Sequence, residues 1–180
     1  MEPNPDSVNF SFLAEYDPIF LQLVAAAEGA FASDPNTTLI KLRQFGEALA
    51  QDLAVRSGVQ FDETTTQADL LGRLHRQIRL DPTIRELFHT LRVEGNRATH
   101  QFRTRHKEAM DGLKMARDLA LWYHHCFGQP DASFKPGPFT PPPDPTVEEK
   151  TQETHGLKKA REARPETTNC QGVTEATPGH

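Results

Sequence analysis

Asn96, Arg97 and His100 stand within about one turn of each other in the stretch Leu91-Arg92-Val93-Glu94-Gly95-Asn96-Arg97-Ala98-Thr99-His100. Residues four apart on a helix share a face, so Asn96 and His100 look the same way if residues 96–100 are helical. A histidine and an arginine beside one phosphate can carry metal-free phosphodiester chemistry. The imidazole moves the proton of an RNA 2′-hydroxyl, and the guanidinium stabilises charge on the phosphoryl oxygens. The same residue types also serve structure, with asparagine as a helix cap and histidine packed against a neighbour. His100 and Asn96 are the candidate catalytic residues, with Arg92 or Arg97 as the candidate cation.

The second chemical feature is charge. The chain of 180 residues carries a formal net charge of −5, yet from Arg73 to Arg117 it holds 11 Lys/Arg against 5 acids. His75, His89, His100 and His106 lie in the same window. A basic sector on a mildly acidic protein attracts phosphate backbones, and it equally describes the solvated faces of arginine-rich helices. Arg92, Arg97, Arg103 and Arg105 are the candidate nucleic-acid contacts.

Other candidates are weaker. His124-His125-Cys126 suggests a metal site, but adjacent helical residues diverge by about 100° and no further ligand has suitable spacing. No metal or other cofactor is expected. Serine is sparse and no Gly-x-Ser-x-Gly motif occurs, so a serine hydrolase has no candidate nucleophile. Trp122 and Tyr123 read as core anchors, and Arg43 with Glu47, four apart, as an ion pair.

These residues need helices to position them. Asp17-Pro18 is a start signal, since Asp caps free N–H groups and Pro suits the first helical position. Ile19, Phe20, Leu23, Ala26, Ala27, Ala30 and Phe31 then recur at spacings of three and four. Asp34-Pro35-Asn36 opens a second helix with an apolar stripe of Leu39, Leu42, Phe45, Leu49, Leu53 and Val55, closed by Ser57-Gly58. A third helix turns Leu70, Leu71, Leu74 and Ile78 inward. Asp81-Pro82 opens a fourth with Ile84, Leu87, Phe88 and Leu91, and Gly95-Asn96 marks a break or sharp bend in it. The fifth spans roughly residues 103–127, with Ala109, Leu113, Ala116, Ala120, Tyr123 and Phe127 on one face. No stretch alternates in the manner of a strand. The expected fold is all-α, a single bundle of about five helices.

Composition changes after residue 128. Residues 129–180 hold 10 apolar residues but 9 of the 14 prolines, 7 of them between Pro130 and Pro145. The expected organisation is a helical domain over 1–129, a Pro-rich linker over 130–147 favouring extended polyproline, and a disordered tail over 148–180. No apolar run reaches the ~20 residues of a membrane span, and the acidic, proline-rich start lacks the features of a secretory signal. Two cysteines make no disulfide framework. A cytoplasmic protein with no membrane association is expected.

The Asn96-x-x-x-His100 window, late in a helical domain of this size, resembles the signature region of the HEPN superfamily. That resemblance implies a helical bundle, usually dimeric, of the kind found in toxins, anti-phage systems and RNA-processing enzymes. Two further stretches resemble the helical domain of unknown function at the N-terminus of type I restriction R-subunit-like helicases. They are Pro35-Asn36-Thr37-Thr38-Leu39-Ile40-Lys41-Leu42-Arg43-Gln44-Phe45-Gly46-Glu47 and Phe134-Lys135-Pro136-Gly137-Pro138-Phe139-Thr140-Pro141-Pro142-Pro143-Asp144-Pro145. The likeness runs roughly from Asn9 to Pro145.

Two departures shape what the resemblance implies. Catalytic HEPN domains carry an Arg separated from the His by four to six intervening residues, and those positions here hold Gly95, Glu94 and Val93. Glycine supplies no cation. The chain also has no Gly-Lys-Ser/Thr phosphate loop and no acidic motor motif, so ATP-driven translocation is not expected of it. It reads as a stand-alone or truncated N-terminal module. The expected function is non-catalytic, a restriction- or anti-phage-associated module acting by homodimerisation and by docking nucleic acid or a partner subunit. The alternative is a metal-independent RNase using His100 with Asn96 and Arg92 or Arg97.

Overall fold

The computed structural model describes residues 6–162. The described residues fall into two compact units, divided between Asp144 and Pro145. The first holds a short 3₁₀ turn, Ser11–Glu15, and five helices: α1 (Pro18–Ala30), α2 (Pro35–Ser57), α3 (Gln67–Ile78), α4 (Pro82–His100) and α5 (His106–Phe127). Among the described residues there is no strand. The chain is all-α, as its periodicity predicts.

The helix starts follow the sequence signals. Asp17, Asp34, Thr66 and Asp81 each accept a hydrogen bond from a backbone N–H of the first turn. Proline occupies the first helical position of α1, α2 and α4, where its missing N–H costs nothing. Gly58 ends α2 at φ +69°, a left-handed conformation that glycine adopts without a Cβ penalty.

α2 packs on α1, α3, α4 and α5 and is the spine of the bundle. Its stripe of Leu39, Leu42, Phe45, Leu49 and Leu53 is buried, together with Phe20 and Phe31 of the α1 end. The ends of three expected stripes face outward instead: Ile19 is 40%, Val55 70% and Ile78 38% exposed. An aromatic chain crosses the core. Phe10 and Phe20 meet Phe45 edge-on at 6.3 Å, and Tyr123 meets Phe20 at 5.7 Å and Tyr16 at 5.1 Å. Edge-to-face pairs of this kind add about 0.5–1.5 kcal/mol each beyond area burial. Tyr123 is the buried anchor expected of it, whereas Trp122 is half-buried against Phe88.

α4 runs without a break through Gly95-Asn96, contrary to the bend expected there. The glycine serves packing instead. A Cβ at Gly95 would overlap the Arg43 Cβ and stand 2.9 Å from the Leu39 carbonyl oxygen. Gly112 of α5 approaches the same turn of α2, where a Cβ would lie 2.8 Å from Leu39 Cδ2. Two glycines thus let α4 and α5 close onto α2.

The compositional boundary at residue 129 differs from the contact boundary at Asp144. The prolines leave carbonyls free to accept, and the bundle supplies donors. Buried Arg117 donates from Nη2 to Pro136 O (2.7 Å) and Gly137 O (2.9 Å), and from Nε to Asn9 O (3.3 Å). The Asn9 side chain donates to Thr140 O and accepts from Thr140 N, both at 2.8 Å. The second family-like stretch is therefore strapped along the bundle. Pro145–Glu162 forms a further helix, α6, over the end of the expected linker and the first part, 148–162, of the expected disordered tail; its straight-chain Glu, Lys and Gln residues favour helix. The expectation of disorder over 163–180 lies outside the described residues.

Candidate nucleic-acid interface

The C-terminal end of α4 and the connection to α5 carry most of the residues singled out by sequence. Asn96 and His100 are exposed on one face of α4, and neither side chain takes a hydrogen bond among the described residues. Arg97 is exposed as well and donates from Nη1 to Glu94 Oε2 at 3.2 Å. Arg92 does not join them. It stands eight residues before His100, about 12 Å of helix rise. It is half-buried, and its Nη2 lies 3.3 Å from His89 Nδ1. Gly95 is buried between the helices, where there is no room for a side chain.

The segment from Gln101 to Arg105 is tied down from beneath. Asn36, at the start of α2, donates to Gln101 O at 3.2 Å and accepts a short hydrogen bond from the Thr104 hydroxyl. His106 Nε2 lies 3.1 Å from Ala32 O; a carbonyl only accepts, so this nitrogen carries the hydrogen. The His106 ring also meets Phe31 edge-on at 5.3 Å. Glu108 accepts from the Arg105 N–H at 3.2 Å and closes the first turn of α5. With the ends pinned, the centre faces solvent: Phe102 is 89% exposed, and Arg103 and Arg105 are exposed beside it. Neither arginine forms an ion pair among the described residues. Lys107 pairs with Asp111 at 2.9 Å, and that carboxylate holds its ammonium above the ordinary lysine range.

Arg97, Arg103, Arg105, His100 and Asn96 thus lie around one end of the bundle, with Arg92 elsewhere. Phe102 was missing from the sequence-based set. The available signal was an aromatic residue inside a polar, arginine-rich stretch that fits no helical stripe. His124 and His125 do not converge. His124 Nδ1 meets Tyr16 Oη and Glu15 Oε1, each at 2.8 Å, while His125 Nδ1 donates to Leu121 O at 2.6 Å.

Residues 25–124, most of the bundle, match the family model of a domain of unknown function, DUF4145. The chain belongs to this family. The match spans the last six residues of α1, all of α2, α3 and α4, the α4–α5 loop and most of α5. Over 116 residues the chain is 38% identical to the type I restriction enzyme EcoKI endonuclease subunit of Escherichia coli strain K12. That similarity covers 64% of this chain, which spans 10% of the length of the relative. No solved structure matches the chain. Among the described residues, no helix is long and apolar enough to cross a membrane.

Proposed function

We propose that this DUF4145 chain is a HEPN-like, non-catalytic docking module of a restriction-type system, working in the cytoplasm as a homodimer and receiving nucleic acid on its α4–α5 end. The observation that carries the proposal is Phe102, 89% exposed and flanked by Arg103 and Arg105 on a loop anchored from below. An exposed aromatic ring stacks on a base, and arginines beside it meet the phosphates; both are sequence-tolerant contacts suited to single strands. Similarity to a restriction-enzyme subunit supports the setting. Ultraviolet crosslinking to a single-stranded oligonucleotide tests the contact. The adduct is expected on the peptide bearing Phe102; an adduct confined to other peptides, or none, contradicts the proposal. Light scattering tests the dimer, and a monomer mass removes that part.

A second reading, a metal-independent RNase, is favoured by the exposed and unpartnered His100 and Asn96 on one face of α4. Arg97, three residues from His100, is then the available cation, since Arg92 is about 12 Å away along the axis. Cleavage of end-labelled RNA in EDTA that is lost in His100→Ala supports it. Absence of cleavage leaves the docking role.

A further inference from the structure

A second site lies nearer the start of α4, where it faces α3. The two helices enclose a cleft of about 540 Å³. Its polar lining comprises His75, Arg76, Arg85, His89 and Arg92, with Glu86 as the sole acid among them. Leu71 and Ala68 give it an apolar wall. Its size falls within the range of small-molecule sites, and its charge calls for an anion.

The polar groups are poised as donors. An arginine cannot accept, so its 3.3 Å contact with His89 Nδ1 makes that nitrogen the acceptor and places the ring hydrogen on Nε2. Four side-chain polar atoms are sealed from solvent with no hydrogen-bond partner among the described residues, and two of them, Arg92 Nε and His75 Nδ1, belong to this region; the others are Arg43 Nε and Gln67 Oε1. Unmet buried polar groups are costly and uncommon in folded proteins. Arg92 Nε and His75 Nδ1 both belong to side chains that line the cleft.

We infer that the α3–α4 cleft binds the phosphoryl group of a nucleotide, presented as a free mononucleotide or as the 5′ end of a strand. The guanidinium groups of Arg76, Arg85 and Arg92 meet the phosphoryl oxygens, and the Leu71–Ala68 wall receives the apolar face of the base. The site does not include the α4–α5 loop, because its residues lie between Arg85 and Arg92 of α4 and between Ala68 and Arg76 of α3.

Titration calorimetry of the full chain at low salt tests the inference, with adenosine monophosphate and adenosine as probes. The monophosphate is expected to bind at least 10-fold more tightly than the nucleoside. The exposed pair Arg76→Glu/Arg85→Glu should abolish that binding with the helical circular-dichroism signal unchanged, and Arg103→Glu/Arg105→Glu should leave it intact. No binding of the monophosphate, equal binding of the nucleoside, or binding that survives Arg76→Glu/Arg85→Glu overturns the inference. Paired oligonucleotides with 5′-phosphate and 5′-hydroxyl ends then separate the sources. A preference for the phosphorylated strand that disappears in the cleft variant assigns the strand end, and equal affinities assign the free nucleotide.

Discussion

At the scale of single residues, Gly95 shows why a functional motif and a packing requirement can occupy one position. Its buried Cα faces Leu39 and Arg43 of α2, and a Cβ there overlaps the Arg43 side chain stem. Gly95→Ala is therefore expected to destabilise the bundle by about 1–3 kcal/mol, the range for overpacking a close contact, despite alanine's better helix propensity. Chemical denaturation of the two proteins measures it; a neutral or stabilising effect contradicts the packing account. From sequence, Gly95 reads as a helix break, because poor helix propensity is a local signal. The approach of α2 is a tertiary fact that no local pattern carries. Asn96 and His100 were legible because a spacing of four places them on one face once the helix exists. Phe102 was not, since exposure of an aromatic depends on how Asn36 and His106 pin the loop.

At the scale of elements, the helix boundaries were the most legible part of the chain. Asp17-Pro18, Asp34-Pro35 and Asp81-Pro82 start α1, α2 and α4 as their chemistry requires. Asp34 accepts from both the hydroxyl and the N–H of Thr37, and these bonds hold its carboxyl below its ordinary value of 3.8. A lowered folded-state value means the stabilisation is fully present above the unfolded value and is lost as pH falls through the folded one. Asp34→Ala is expected to cost about 1 kcal/mol near neutral pH, with the difference from the parent shrinking in acid. Unfolding curves at neutral pH and at pH values below 3.8 check this. The Pro-rich strap was less legible. Composition shows an extended segment, but not that Arg117 and Asn9, more than a hundred residues apart, donate to its carbonyls. Arg117→Met retains the apolar stem and removes the donors. It is expected to expose residues 134–140 to rapid amide exchange and limited proteolysis while α2 stays protected; unchanged protection of that segment contradicts the strap.

At the scale of the whole molecule, a net charge of −5 conceals an excess of six positive charges between Arg73 and Arg117. The fold divides that window into two parts. Arg76, Arg85 and Arg92 line the α3–α4 cleft, while Arg97 at the other end of α4 and Arg103 and Arg105 in the α4–α5 connection are exposed, as Phe102 is. The charge count was readable from sequence; its division required the helix to continue through Gly95. The measurement that tests the docking role most directly is the salt dependence of affinity for a labelled single-stranded oligonucleotide. Fluorescence anisotropy would follow the parent protein and Arg103→Glu/Arg105→Glu. Phosphate contacts release counterions, so the parent's log affinity is expected to fall linearly with log salt. Loss of two contacts should lower that slope by about 1.4 and weaken binding at least 10-fold at low salt. Equal affinities and equal slopes for the two proteins would contradict nucleic-acid docking on the α4–α5 end.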